Sequence, residues 1–261
     1  MSALTDWFSP RNEVHRRYDS HGLIQVFDHG EKRYLSFGTT DEQSCILRGK
    51  PLLLQHPYTR AMMAVLSQVE PAQPPKQISL MGLGGGSLAN CLIHLFPDSQ
   101  VWAVELREAV IHVARQYFGL PRADNLQITP GDAMEQLANA EPESCDLMFS
   151  DLYLAAGIEI RQFTAEYLQH CENHLKPGGW LVLNLWREHR QYDHWFDELK
   201  KRFDTCLHAS TTDGNWIIWV RKPAGEALAS DAKTSRQRCT EWSEKLGFNL
   251  WQSARPFVKK R

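Results

Sequence analysis

The sequence predicts an α/β protein: a mostly parallel, seven-stranded sheet covered by helices on both faces, with a small β unit ahead of it. Three observations carry this. From Ile78 onward, short apolar runs (ISLMGL, VWAVEL, LQITPGD, DLMFSDL and WLVLNLW) alternate with helix-length segments. A strand covered on both faces reads as a continuous apolar run, and strand–helix alternation is what parallel pairing requires. The last pair, TCLHAS and NWIIWVR, is separated by TTDG, which predicts an antiparallel hairpin at a sheet edge. Finally, residues 23–37, LIQVFDHGEKRYLSF, are two β-rich runs around a glycine turn.

The elements follow in order. Residues 23–37 form a hairpin with glycine in its turn, and QSCIL, residues 43–47, adds a third short strand. From Pro57, PYTRAMMAVLSQV is helical, with Met62, Leu66 and Val69 on one face, until PAQPPK at 71–76 stops it. After the alternating segments, KPGG at 176–179 supplies a helix-ending glycine turn before the fifth strand. Trp216 and Trp219, on the final hairpin, are expected core. Beyond it, a linker leads to a helix over about Ala229 to Leu246 and a solvated basic end, FVKKR. The expected division is therefore 1–56 for the β-hairpin region, 57–222 for the α/β domain and 223–261 for a helical extension.

Composition narrows the function. A chain of 261 residues accommodates one large domain with a substantial core. The formal charge of -2 gives no basic field for nucleic acid or an anionic membrane. MSALTDWFSPRNEV lacks an apolar h-region, and no run approaches the roughly 18 apolar residues of a span. The expectation is a soluble cytoplasmic protein with a small-molecule substrate, no nucleic-acid or membrane partner, and a homodimer as its assembly. Cys45, Cys91, Cys145, Cys171, Cys206 and Cys239 contain no CxxC pair and read as reduced core thiols. His170 and His174 have the i, i+4 spacing of helical metal ligands, but no adjacent acid completes an HExxH pattern. A polar helix face explains them, and no metal is expected.

In a doubly wound sheet the strand carboxyl ends share one rim, where a ligand lies at the reversal of strand order. The residues at those ends are Gly82, Gly84, Gly85 and Gly86; Glu105; Gly131, Asp132 and Ala133; Asp151; and Asn184 with Trp186. Glycines let backbone amides approach a ligand at the next helix's start. Glu105 follows Gly86 by about twenty positions, the place of an acid that accepts from ribose hydroxyls. Asp132 is suited to accept from an adenine amino group while the Ala133 amide donates to a ring nitrogen. Asp151 lies beside the reacting centre. Tyr153 and Trp186 stand near the rim, either flanking a flat or cationic substrate or packing the top of the sheet. The glycine run satisfies G-x-G-x-G but has Ser87 where a dinucleotide fingerprint needs its last glycine.

Together with KPGG and the terminal hairpin, that run resembles the Rossmann-like class I S-adenosylmethionine-dependent methyltransferase fold. The stretch from Leu23 to Val220 more closely resembles the spermidine synthase family of aminopropyltransferases. The resemblance implies a small N-terminal β unit, transfer from decarboxylated S-adenosylmethionine to a polyamine, and no metal. It places Tyr58 on the family's pocket tyrosine, Glu105 in VWAVELREAVIHVARQYF on the ribose acid, Asp132 in GDAMEQL on the adenine-side acid, and Asp151 in MFSDLYL on the amine-activating aspartate. RQFTAEYLQHCENHLKPGG resembles the helix that follows the active-site loop.

Three positions depart from the family pattern. Gly85 stands where an aspartate grips the aminopropyl end, Leu154 where a second strand-four aspartate is expected, and Thr59 where a glutamine follows the tyrosine. Glu159 and Asp41 are candidate replacements for the lost acids. Three readings stay open: aminopropyl transfer with Asp151 as base and Tyr58 lining the pocket; methyl transfer from S-adenosylmethionine to an unassigned acceptor; and nucleoside binding without catalysis.

Overall fold

The computed structural model describes residues 12–39, 42–155, 157–225 and 231–258. It opens with an antiparallel sheet of β1 (Asn12–Asp19), β2 (Gly22–His29), β3 (Lys32–Ser36) and β4 (Glu42–Leu47), in that spatial order. The expected hairpin is β2–β3, with Gly30 at φ +57 in its turn and Asp28 paired to Arg33 across it at 2.7 Å. QSCIL falls in β4. The sequence reading missed β1: NEVHRRYD buries no residue fully, so it offers no apolar alternation to detect.

Next comes α1 (Pro57–Met63), which tightens into a 3₁₀ segment over Ala64–Gln68. Met62 and Leu66 are fully buried as expected, and so are the residues between them. The chain then alternates: β5 (Gln77–Met81), α2 (Ser87–Leu95), β6 (Gln100–Glu105), α3 (Glu108–Tyr117), β7 (Leu126–Pro130), α4 (Ala133–Ala138) and β8 (Cys145–Ser150). A short ribbon of β9 (Tyr153–Leu154) and β10 (Gly157–Ile158) precedes α5 (Ala165–His174) and β11 (Leu175–Trp186). The remaining elements are α6 (Asp193–Arg202), β12 (Thr205–Ser210), β13 (Asn215–Arg221), α7 (Ala232–Leu246) and α8 (Leu250–Val258).

The large sheet has the order β12-β13-β11-β8-β5-β6-β7. Its five strands from β11 to β7 are parallel, and the β12–β13 hairpin joins antiparallel at one side. The α/β class and the seven strands agree with the sequence. The order reverses between β5 and β8, so the carboxyl ends of those two strands flank the place where a crevice opens.

Helices cover both faces. One cluster joins α1, α2, α7 and α8 to the sheet through Met62, Leu92, Trp242 and Phe257; the other joins α4, α5 and α6 through Leu137, Tyr167 and Leu199. A third joins the small sheet to α3, with Ile24, Val26 and Leu35 against Val110, Val113 and Phe118. Trp216 and Trp219 are core residues as expected.

Three details depart from the sequence reading. KPGG does not end α5: that helix gives way directly to extended backbone at Leu175, and Lys176–Gly179 bulges within β11, where pairing jumps from Leu175 opposite Cys145 to Trp180 opposite Leu147. A Cβ on Gly179 would lie 2.9 Å from the Lys176 carbonyl oxygen, so glycine is required there by close backbone approach. Among the described residues the C-terminal extension holds two helices. Gly247, at φ +71, ends α7, and Phe257 of α8 stacks on Trp219 at 3.7 Å. Residues 226–230 and 259–261, including Ala229 and the last three residues of FVKKR, lie outside the described residues.

His174 is buried rather than on a polar face. Its Nε2 is 2.8 Å from Ser79 Oγ, and its Nδ1 meets Ser144 Oγ and the Glu141 carbonyl. Burial lowers its pKa, which suits a neutral core imidazole. Among the described residues no His, Cys, Asp and Glu group is arranged to hold a metal, and no helix is long and apolar enough to cross a membrane.

Candidate active site

A cavity of about 600 Å³ opens at the carboxyl ends of β5, β6, β7, β8 and β11, with β4 and the β12–β13 turn on its outer side. Of the sequence-predicted residues, Tyr58, Gly82, Gly84, Glu105, Asp132, Ala133 and Asp151 all line it. Residues far apart in the chain therefore converge at one rim.

The four glycines divide into two pairs. Gly82 and Gly84 border the cavity at φ +90 and +52, and a Cβ on Gly82 would collide with the Asp151 carbonyl. Gly85 and Gly86 face protein instead. A Cβ on Gly85 would lie 2.8 Å from Ser44 Cβ and 3.0 Å from Phe118 Cδ1, and one on Gly86 would meet Leu120. Their amides are engaged as well: Gly85 donates to Ser44 Oγ at 2.7 Å and Gly86 to the Leu83 carbonyl.

Glu105, at the end of β6, braces this loop. Oε2 accepts from the amides of Leu83 and Gly84 at 3.1 and 3.2 Å, and Oε1 accepts from that of Arg107 at 3.0 Å. A carboxylate has about four acceptor positions, so the remaining capacity is on Oε1. Burial raises the Glu105 pKa, opposed by the three amides.

Asp132 caps α4, its Oδ1 accepting from Met134 and Glu135 amides, while Oδ2 accepts from Arg161 Nη2 at 2.5 Å. Burial works against its ionisation, but Arg161 and the amides prevail and hold the pKa below the usual value. Arg161 also pairs with Glu159 at 3.0 Å, so Glu159, a candidate replacement acid, lines the cavity as a neutralised partner. Asp41, the other, lies outside the described residues.

Asp151 terminates β8. Its Oδ1 accepts from Asn184 Nδ2 at 2.7 Å, and Asn184 Oδ1 accepts from Asn215 Nδ2 at 2.8 Å. Burial pushes the Asp151 carboxyl up to about 6; the Asn184 bond opposes this and the Glu105 charge adds to it. Tyr58 and Tyr153 lie close by. Burial raises both phenols well above their ordinary value, with the Asp151 charge next, so both stay protonated. Tyr58 OH donates to the Gln43 carbonyl at 3.4 Å, Tyr153 OH to the Asn184 carbonyl at 3.3 Å, and the Tyr153 and Trp186 rings lie 5.8 Å apart.

The sequence reading missed Glu42, Arg161, Glu188 and Asp213, which also line the cavity. Asp213 was within reach: β13 is antiparallel to β11, so the TTDG turn ahead of it must lie beside the end of β11. Among the lining residues, seven carboxylates (Glu42, Glu105, Asp132, Asp151, Glu159, Glu188 and Asp213) stand against the single guanidinium of Arg161, so the wall is acidic.

Comparisons with known proteins follow the same lines. A family model described as a methyltransferase domain matches residues 79–179. Over 243 residues, 92% of this chain and 91% of the other, the sequence is 29% identical to a polyamine aminopropyltransferase of Chromobacterium violaceum. The chain is spermidine synthase-like. A probable spermidine synthase of Corynebacterium glutamicum superposes on this spermidine synthase-like chain with a TM-score of 0.73 at 20% identity, covering 95% of each. Human methyltransferase-like protein 13, solved in complex with SAH, reaches 0.61 at 23% identity over 77% of this chain and 93% of its own. Both structures share the Rossmann-like methyltransferase fold with it.

Proposed function

We propose that this chain transfers an aminopropyl group from decarboxylated S-adenosylmethionine to an amine. The observation that carries this reading is the acidic wall around Asp151. Aliphatic ammonium groups have pKa values of about 10, so a polyamine arrives as a polycation and must lose one proton before it attacks. A carboxylate-rich cavity with aromatic faces suits such a substrate.

An adenosyl sulfonium fits the lining. The cavity falls within the range of small-molecule sites, roughly 300–1,000 Å³, and Glu105 keeps acceptor capacity beside the glycine loop. In this reading Glu105 holds the ribose, Asp132 and the Ala133 amide hold the adenine, and Gly82 and Gly84 let the backbone come close; Gly85 and Gly86 shape the loop from behind. The bound group supplies an electrophilic carbon next to a sulfonium sulfur. Asp151, ionised above about pH 6, takes the proton from the acceptor's ammonium. The freed nitrogen lone pair forms the new N–C bond while the C–S bond breaks with its electron pair going to sulfur. Tyr58 and Tyr153 enclose the nitrogen, and Asn184 keeps Asp151 oriented.

Methyl transfer is the second reading, favoured by Gly85, which brings no carboxylate to the donor's amino end, and by the methyltransferase-domain match. One experiment separates the two. The protein is incubated with S-adenosylmethionine or its decarboxylated form, each with and without a diamine. Methylthioadenosine formed only with amine and the decarboxylated donor supports the proposal. S-Adenosylhomocysteine would replace it with methyl transfer, and tight binding of either donor without product would leave a binding protein.

A further inference from the structure

A second acid faces the acceptor end of the cavity from outside the parallel strands. Asp213 sits in the turn between β12 and β13, and Trp186 pairs with Asn215 across β11 and β13, so this turn emerges beside the carboxyl end of β11. Asp213 Oδ2 accepts from the Tyr58 amide at 3.3 Å, which fixes the carboxylate next to the pocket tyrosine. Tyr58 and Tyr153 each lie within reach of the charges of both Asp151 and Asp213. The two acids thus lie near the same pair of aromatic rings.

Two further lining residues bear on the acceptor. Leu154, where the family pattern expects a second acid, lines the cavity as an apolar group. His56 stacks on Tyr58 with ring centroids 5.3 Å apart, and its Nε2 is buried without a hydrogen-bond partner among the described residues. Burial lowers the His56 pKa, so the ring beside Asp213 brings no positive charge at neutral pH.

We infer that Asp213 is a specificity-determining residue that holds the far ammonium of a short α,ω-diamine whose near nitrogen faces Asp151. This rests on the aminopropyl-transfer reading. The methylenes lie along the aromatic rings, and Asp213 makes from the hairpin the charge-assisted bond that the apolar Leu154 cannot make. Selectivity for a diamine over a monoamine then resides in one turn residue.

Binding tests this independently of turnover. The full chain, saturated with methylthioadenosine, is titrated calorimetrically with 1,4-diaminobutane and separately with butylamine, for wild type, Asp213→Asn and Asp213→Glu. Asp213→Asn is expected to weaken diaminobutane by at least about tenfold, Asp213→Glu to recover most of it, and butylamine to bind all three alike. The inference fails if Asp213→Asn binds the diamine as wild type does, if butylamine weakens in parallel, or if wild type does not bind the diamine. A wild-type protein that binds diamine through Asp213 yet yields no methylthioadenosine from the decarboxylated donor would end the transfer reading and leave the inference standing.

Discussion

Arg107 closes on Asp19 through two bonds of 2.8 and 3.0 Å, and its guanidinium lies 4.6 Å above the Phe37 ring. Its own amide is bound by Glu105. The tip of the small sheet is therefore connected, through one residue, to the carboxylate that braces the glycine loop. With its side chain 4% exposed, Arg107 is a buried cation whose partner comes from a distant part of the chain.

Removing Asp19 leaves that cation unpaired. Asp19→Ala is expected to lower stability by about 3–5 kcal/mol in urea melts and to weaken nucleoside binding. Burial resists Asp19 ionisation, but Arg107 outweighs it and keeps the pKa below the ordinary value. The stabilisation is therefore present above the unfolded-state pKa and is lost as pH falls through the folded one, a dependence that Asp19→Ala should flatten at the acid end.

Glu105→Gln conserves shape but turns an NH₂ group toward amides that need acceptors. A loss of about 1–3 kcal/mol is expected in thermal melts. Methylthioadenosine affinity should fall by about tenfold or more, or about 1.4 kcal/mol, in calorimetry. Unchanged affinity would show that Glu105 only braces the loop.

Asp151 gives opposite signs for activity and stability. If Asp151 is the base of the proposed transfer, its carboxyl, raised to about 6, makes kcat/KM rise with pH through an acid limb near 6. The same shift stabilises the fold below the unfolded-state pKa and is lost as pH rises through 6. Asp151→Asn, permanently neutral, is expected to abolish transfer yet melt higher than wild type at pH 8, by roughly 1–3 kcal/mol, with the gain fading toward pH 4.

Restoring an acid to the glycine loop should fail alone. A side chain at position 85 meets Ser44 and Phe118 rather than the cavity. Gly85→Asp is expected to destabilise the protein by about 1–3 kcal/mol, measured by urea melt. The double variant with Ser44→Gly should recover part of this by vacating the contact. A fully stable Gly85→Asp single variant would contradict the packing described.

The parallel core was legible because β5, β8 and β11 are buried on both faces, and continuous apolar runs say so locally. The rim was legible because strand ends follow from strand positions: Gly82, Glu105, Asp132 and Asp151 needed only the topology to meet. What was hidden depended on partners remote in sequence. β1 is exposed and charged, held by its pairing with β2 rather than by a pattern of its own. Arg161 acquires its role by crossing to Asp132, and Ser44 by occupying the space behind Gly85. KPGG misled because a proline–glycine run marks a bulge as readily as a helix end.

The turn between β12 and β13 carries two cavity residues, Asp213 and Gly214, outside the strands themselves. Replacing the Asp213 side chain touches no ladder hydrogen bond, whereas Glu105 and Asp151 stand at the ends of β6 and β8, which the core depends on. On the aminopropyl-transfer reading, lineages descended from such a molecule are expected to diversify in the amine they accept long before they abandon the nucleoside they grip.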